Sequence, residues 1–420
     1  MSARIRRPFA PLAIPNYRRF FVGQVFARCG VWVQTVAEIW LVLRLTGSGV
    51  SLGLTTALQF SPMLLFGAWA GVWADRMPKR RILLVAQAWM VIPALTLLAL
   101  TVTGAVELWM VYLLVLARGL GHAVDNPVRQ SFVMEVVGRD QVAAAVSLNA
   151  AVVSTARLVG PAVAGGLIAA VGITSCFVAS SMAFLVAGGA LLAIDPVALK
   201  RAGLSGRHPG QLREGLSEAR GNPALRIPLL AMAVVGTFAF NFQVVLPLMA
   251  RYTFHAGAGT YSALAGAMGG GAIVGAVANA GRRSQSLTRL ALVGLVFGTL
   301  MAAVAAAPTR ALALAGLVLM GASSTSFTAS TNSLLQLAAP TPLRGRVMAL
   351  WSVVYLGSTP VGGPIVGWVS EHAGPRAGLA LGAIATLATG LGVLRVAIRG
   401  RSAGELVQVR VSAEAEKRAA

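Results

Sequence analysis

Residues 71–81 read Gly71-Val-Trp-Ala-Asp75-Arg76-Met-Pro78-Lys79-Arg80-Arg81. One carboxylate stands among four cations, with an apolar run on either side, 51–73 before it and 82–103 after it. A helix that crosses a bilayer needs roughly 20 mostly apolar residues, so the two runs predict a pair of spans joined at a membrane edge. Working outward, ten further runs repeat the pattern: 20–43, 107–128, 142–170 and 173–194, then 226–250, 258–281, 287–307, 310–335, 346–370 and 377–397. Twelve spans are therefore expected.

Composition agrees. Of 420 residues, 56% are hydrophobic and 11% charged, and the mean hydropathy is +0.75. Soluble chains carry roughly 25% charged residues, so this chain cannot cover a water-facing surface. Its 47 glycines fit close helix packing, since small residues let backbones approach within lipid. Cys29 and Cys176 both sit in apolar stretches and read as small buried thiols.

The longest polar stretch, 195–225, holds Lys200, Arg201, Arg207, Arg213, Glu214, Glu218 and Arg220. It separates an N-terminal six-helix bundle, 1–194, from a C-terminal one, 226–400, and leaves a tail, 401–420. The net charge of +22 first suggests nucleic acid, but its distribution argues for topology. With the N-terminus inside, inner segments carry 28 of the 35 Lys and Arg, outer loops four and spans three. That bias puts both termini in the cytoplasm of a multi-pass inner-membrane protein, and attraction to anionic lipid accounts for the charge without nucleic acid. After the basic Arg4–Arg7 there is no short apolar core with a cleavage site, so no removable signal peptide is expected.

The halves echo each other. Asn126-Pro-Val-Arg-Gln130 and Asn332-Ser-Leu-Leu-Gln336 share Asn-x3-Gln at the ends of the fourth and tenth runs, and Gly160-Pro161 answers Thr359-Pro360. Two related six-helix halves suit a rocking transporter.

Ionisable groups inside a membrane are costly and face a cavity or a partner. In the fourth run Arg118, His122 and Asp125 are spaced four and three apart, on one helical face. In the first, Gln24, Arg28, Thr35 and Glu38 fall on one stripe. A carboxylate in an apolar site can load and release a proton, which makes Glu38, Arg118, His122 and Asp125 the proton-coupling candidates. The plainer readings are an interfacial Glu38 bonded to Gln34 or Arg44, and a helix-end Asp125 bridged to Arg129 or Arg157. The seventh to twelfth runs hold no Asp or Glu before Glu371. Their Phe238, Asn241, Phe242, Asn332, Gln336, Trp351 and Tyr355 form a neutral, partly aromatic set. With Gln24, Arg28 and Thr35, these are the cavity candidates, and the apolar wall suits an amphipathic solute better than a sugar.

The 71–81 stretch resembles the signature loop of the major facilitator superfamily, Gly-x-Leu-Ala-Asp-Arg-x-Gly-Arg-Arg. Gly71, Ala74, Asp75, Arg76, Lys79 and Arg80 match, while Trp73 and Pro78 depart. The resemblance implies two pseudo-symmetric six-helix bundles, with Gly71, Asp75, Arg76, Lys79 and Arg80 latching a cytoplasmic gate. Arg157-Leu-Val-Gly160-Pro161-Ala-Val-Ala-Gly165-Gly166 resembles the Gly-Pro-x-x-Gly-Gly antiporter motif of exporting members, with one residue more after Pro161. Pro and small residues there predict a kinked, hinging helix. Arg118-x-x-Gly121 is similar to the Arg motif linked to proton coupling in drug/proton antiporters. Asp125-Asn-Pro-x-Arg129-Gln130, Leu212-Arg-Glu-Gly215-Leu216 and Arg344-Gly-Arg346-Val-Met348 look like the enterobactin-exporter-like transmembrane secretion effector branch.

The implied function is proton-coupled export of small amphipathic molecules, with substrate, protons and lipid as partners and one chain enclosing the pathway as a monomer. A facilitator or importer is the alternative, and a non-transporting sensor or assembly partner a more distant one. No Gly-x4-Gly-Lys-Ser/Thr run, metal-ligand spacing or catalytic triad is present, so the expectation is a non-enzyme with no cofactor and no metal.

Overall fold

The computed structural model describes residues 9–200, 218, 220–279, 285–340 and 343–399, with side chains left out at 67–76 and 139. The signature-loop positions Gly71, Asp75 and Arg76, the 212–216 element and the 401–420 tail therefore lie outside what is described. Among the described residues the structure is helical throughout, with twelve helices long and apolar enough to cross a membrane. They are α1 (Pro15–Thr46), α2 (Gly49–Arg76), α3 (Lys79–Thr103), α4 (Leu108–Val137), α5 (Val142–Ala170) and α6 (Thr174–Leu192). Then follow α7 (Pro223–Thr253), α8 (Ala258–Asn279), α9 (Leu287–Ala306), α10 (Arg310–Ala338), α11 (Arg344–His372) and α12 (Pro375–Arg399). In lipid a helix satisfies its backbone internally, which is why the apolar runs and the helices coincide.

Two corrections concern extent and continuity. α4 runs on to Val137, so Asn126–Gln130 lies within the helix rather than at its end, while Asn332–Gln336 occupies the last turns of α10, which stops at Ala338. The run 226–250 is interrupted. A helix ends at Phe238, a second short one occupies Phe242–Leu248, and a π-turn follows over Met249–Thr253. At the break Asn241 Nδ2 donates to the Thr237 carbonyl at 2.6 Å, the kind of side-chain bond that competes with the backbone ladder. By contrast α5 continues as one helix through Pro161.

The chain forms two compact units. One comprises 1–47, 58–206 and 256–266, and the other 48–57, 207–255 and 267–420. In the first, α1 packs against α4, α5 and α6, and α3 packs against α4 and α6. In the second, α7 packs against α10, α11 and α12, and α9 against α10 and α12. The same neighbour pattern thus recurs six helices later, as a duplicated bundle requires.

Small residues set the closest approaches. A Cβ on Gly271 of α8 would collide with the Val318 carbonyl of α10, and one on Gly321 of α10 with the Met268 carbonyl. Helix ends use familiar devices. α1 stops at Gly47, whose φ of 67° suits a left-handed cap. The first residues of α2 belong to the second unit, where the Glu371 carboxylate accepts Ser48 Oγ at 2.5 Å and the Val50 N–H at 2.9 Å. An acidic group at a helix N-terminus is favourable.

Gly271→Val is expected to lower the melting temperature of the purified protein, with an overpacking cost of about 1–3 kcal/mol. Gly166→Ala, where nothing stands within 4 Å of the added Cβ, is expected to leave it unchanged. Thermal denaturation followed by size-exclusion chromatography separates the two outcomes.

Candidate functional site

The α4 spacing does what its periodicity predicts. Arg118, Asp125 and Arg129 are buried on one face, with His122 between them half-buried. Opposite them, α1 presents buried Gln24, Gln34, Thr35 and Glu38, and a half-buried Arg28. All of these belong to the first unit.

Two ion pairs organise the face. Arg118 grips Glu38 bidentately, Nη2 to Oε2 at 2.5 Å and Nε to Oε1 at 3.0 Å, with both side chains essentially inaccessible. Gln34 Nε2 adds a bond to Glu38 Oε1 at 2.8 Å. Glu38 is thus buried within the protein and held by Arg118 rather than by Arg44. It bonds Gln34 as the sequence allowed, and its cation comes from α4. Farther along α4, Arg129 grips Asp125 through Nη2 to Oδ1 at 2.5 Å and Nε to Oδ2 at 2.9 Å, and Gln87 of α3 donates to Oδ1 at 3.2 Å. The Arg129 partner was one of the two expected. Arg157 instead lies exposed, 5.7 Å from the Trp32 ring centroid. Asp125 is buried inside α4 rather than at a helix end.

Among the described residues several buried polar atoms on this face have no protein partner: Arg28 Nε, Arg118 Nη1, His122 Nε2, and the side-chain oxygens of Gln34 and Gln87. Buried polar groups in folded proteins are normally satisfied, so this face holds hydrogen-bonding capacity that the described protein groups do not use.

The remaining expected residues divide. Lys79 pairs with Glu135 of α4 at 2.7 Å, and Arg80 donates to the Leu191 and Leu192 carbonyls that end α6. These two cations of the signature loop therefore tie α3 to α4 and α6. In α5, Gly160 makes room for the Trp32 side chain and Gly165 for Ser262, while Gly166 faces open space. In the second unit Trp351 stacks on Tyr355 with centroids 5.2 Å apart, and Tyr355 meets Phe240 edge-on at 6.2 Å. Phe240 also contacts Phe242 and Phe297, so the centre of this aromatic cluster is a residue the sequence reading passed over in favour of Phe238. Trp351 Nε1, Asn241 Oδ1 and Gln243 Oε1 are buried without partners nearby in sequence to that cluster. Asn332 and Gln336 bond each other at 2.6 Å, with Gln336 exposed. Gln87 was also missed, although one amide in the apolar run 82–103 was a signal that could have found it.

Comparison with known proteins gives the following. A family model described as transmembrane secretion effector matches residues 6–416. The staphyloferrin A transporter of Staphylococcus aureus (strain NCTC 8325 / PS 47) is 27% identical over 170 residues, 40% of this chain and 43% of that protein. The chain thus covers less than half the length of that relative. The multidrug efflux pump Tap of Mycolicibacterium fortuitum is 25% identical over 372 residues, covering 84% of this chain and 88% of Tap. Among solved structures, the nucleoside transporter NupG superposes with a TM-score of 0.72 at 12% identity, covering 91% of this chain and 98% of that one. This likeness shows the fold.

Arg118→Ala would strand a buried carboxylate, a loss of about 3–5 kcal/mol when one partner of a buried pair is removed. The variant is expected to melt well below the wild type. Glu38→Gln combined with Arg118→Gln, which removes both charges, is expected to recover much of that loss in the same melting assay.

Proposed function

The chain belongs to the transmembrane secretion effector family of major facilitator membrane transporters, and from that premise we propose that it exports small amphipathic molecules in exchange for protons. The observation that carries the reading is the buried Glu38–Arg118 pair with Gln34. Protonating Glu38 removes the charge that holds Arg118, so the bidentate contact weakens and Arg118 becomes available to other acceptors. Releasing the proton restores the pair. A carboxylate inaccessible to bulk water is thereby coupled to an arginine on another helix, and a two-state element of this sort is what a proton must bias to drive transport. Asp125 is a second candidate, but it is held by Arg129 one helical turn away and by Gln87, which suits a fixed structural charge better.

Efflux as the direction is supported by the name of Tap. An amphipathic solute is supported by the aromatic cluster around Phe240, Trp351 and Tyr355, which offers stacking faces with few charges. The Lys and Arg distribution supports a plasma-membrane orientation with both termini cytoplasmic.

Expressed in an efflux-deficient host, the protein is expected to lower accumulation of at least one compound in a panel of dyes, antibiotics and siderophores. A protonophore is expected to abolish the effect, and Glu38→Gln to reduce it about tenfold or more. Efflux that survives both the protonophore and Glu38→Gln would remove proton coupling and favour a facilitator. No flux of any compound in proteoliposomes would favour the non-transporting reading.

A further inference from the structure

Charges on the buried face of the first unit do not balance. Glu38 is matched by Arg118, and Asp125 by Arg129, each through both carboxylate oxygens. Arg28 is left over. Among the described residues it forms an ion pair with no carboxylate; Asp125 is within electrostatic reach of it, but both Asp125 oxygens are already taken by Arg129. Its side chain makes one hydrogen bond, Nη2 to the neutral Asn126 Oδ1 at a long 3.3 Å, and its Nε is buried without a partner. His122 stands one turn before Asn126 on α4, on the same helical face, and its Nε2 is likewise buried and unpartnered among the described residues. Arg28 stands 13 residues after the start of α1 and 18 before its end, so this set lies close to the middle of the helix.

A guanidinium in this setting is costly unless something compensates it. Water could occupy Nε but would not neutralise the charge. A cationic solute would add a further positive charge to a face that already holds one cation in excess, in a medium where such repulsion is poorly screened. A small oxyanion meets every requirement. One oxygen can accept from the Arg28 fork, which is built for carboxylate and phosphate geometry, and another can accept from His122 when its Nε2 carries hydrogen.

We infer that Arg28, with His122 and Asn126, is the subsite for an acidic group of the transported solute, a carboxylate or similar oxyanion. This rests on the reading of the chain as a transporter and specifies its substrate class: amphipathic anions over amphipathic cations. Arg28 then sets charge selectivity, while the proton-coupling pair lies ten residues away along α1. The same oxyanion chemistry could be supplied by an anionic lipid headgroup, so the test distinguishes the two sources.

The experiment measures equilibrium binding of two dyes on one xanthene scaffold, anionic fluorescein and cationic rhodamine 6G, by fluorescence anisotropy. The full chain is held in phosphatidylcholine nanodiscs, with empty discs subtracted. Fluorescein is expected to bind at least about tenfold tighter than rhodamine 6G, the scale of one charge-assisted contact. Arg28→Gln is expected to abolish that preference, and Arg28→Lys, which keeps the charge, to retain most of it. If phosphatidylglycerol in the discs competes fluorescein away from the wild type and not from Arg28→Gln, the subsite takes an oxyanion and the lipid can supply it. A wild type that binds the cation as well as the anion, or binds neither, overturns the inference. So does a monodisperse Arg28→Gln that keeps the anion preference. Because no gradient is imposed, failure here leaves the export reading standing, and failure of energised export leaves this binding result standing.

Discussion

The arrangement of the first unit follows from a requirement that every buried ionic group meet its opposite without help from bulk water. Glu38 on α1 is met by Arg118 on α4 through two hydrogen bonds, and Gln34 supplies a third. That contact fixes the rotation of α1 about its own axis. Once Glu38 faces α4, Gln24, Arg28 and Gln34 are turned toward the same interior, and Gly23 and Gly30 toward Ala190 and Ala183 of α6. On α4 the same constraint places Asp125 and Arg129 on the face of Arg118, where Gln87 of α3 can join them. Three helices are thus registered by polar contacts in a setting where apolar contacts alone discriminate little, since lipid is as apolar as leucine.

The second unit repeats the packing pattern but not the chemistry. α7 stands among α10, α11 and α12 as α1 does among α4, α5 and α6, yet its helices carry no acidic residue before Glu371. Their interior polar groups are hydroxyls that bond the preceding turn, such as Ser323, Ser324 and Thr331, and neutral amides. Cohesion there comes from glycine-mediated approach between α8 and α10 and from the aromatic cluster around Phe240. One fold therefore holds two differently built units, one organised by charge and the other by shape.

How much of this could be read from residues alone depended on the length scale of the signal. Span number was legible because a run of twenty apolar residues has few alternatives at this composition. The α4 face was legible because its spacing of four and three is a local property of one helix. Partner choice was not. Glu38 was visible as an anomaly in α1, but nothing in α1 says that the guanidinium meeting it lies 80 residues on. Lys79 and Arg80 were read with Asp75 because they are close in sequence, and nothing in that stretch announces Glu135 or the last carbonyls of α6, which they also meet. Phe240 was passed over because its importance arises only when α7 breaks beside it, bringing Phe242, Phe297 and Tyr355 around one ring.

That break bears on how an interior can present polarity without charge. An intact helix hides its carbonyls and amides in its own ladder, so a charged residue such as Arg28 is one of few ways for α1 to offer hydrogen bonds near mid-membrane. α7 has another. Between Phe238 and Phe242 the ladder is interrupted, and irregular backbone at membrane depth is tolerated where protein or a water-filled cavity surrounds it. The buried oxygens of Asn241 and Gln243 lie without partners at that interruption, next to aromatic rings. Helices broken in this way are where many secondary transporters bind their cargo. The α7 break thus gives the second unit neutral acceptors beside ring faces, where the first unit, built on intact α1 and α4, presents its polarity as charged side chains.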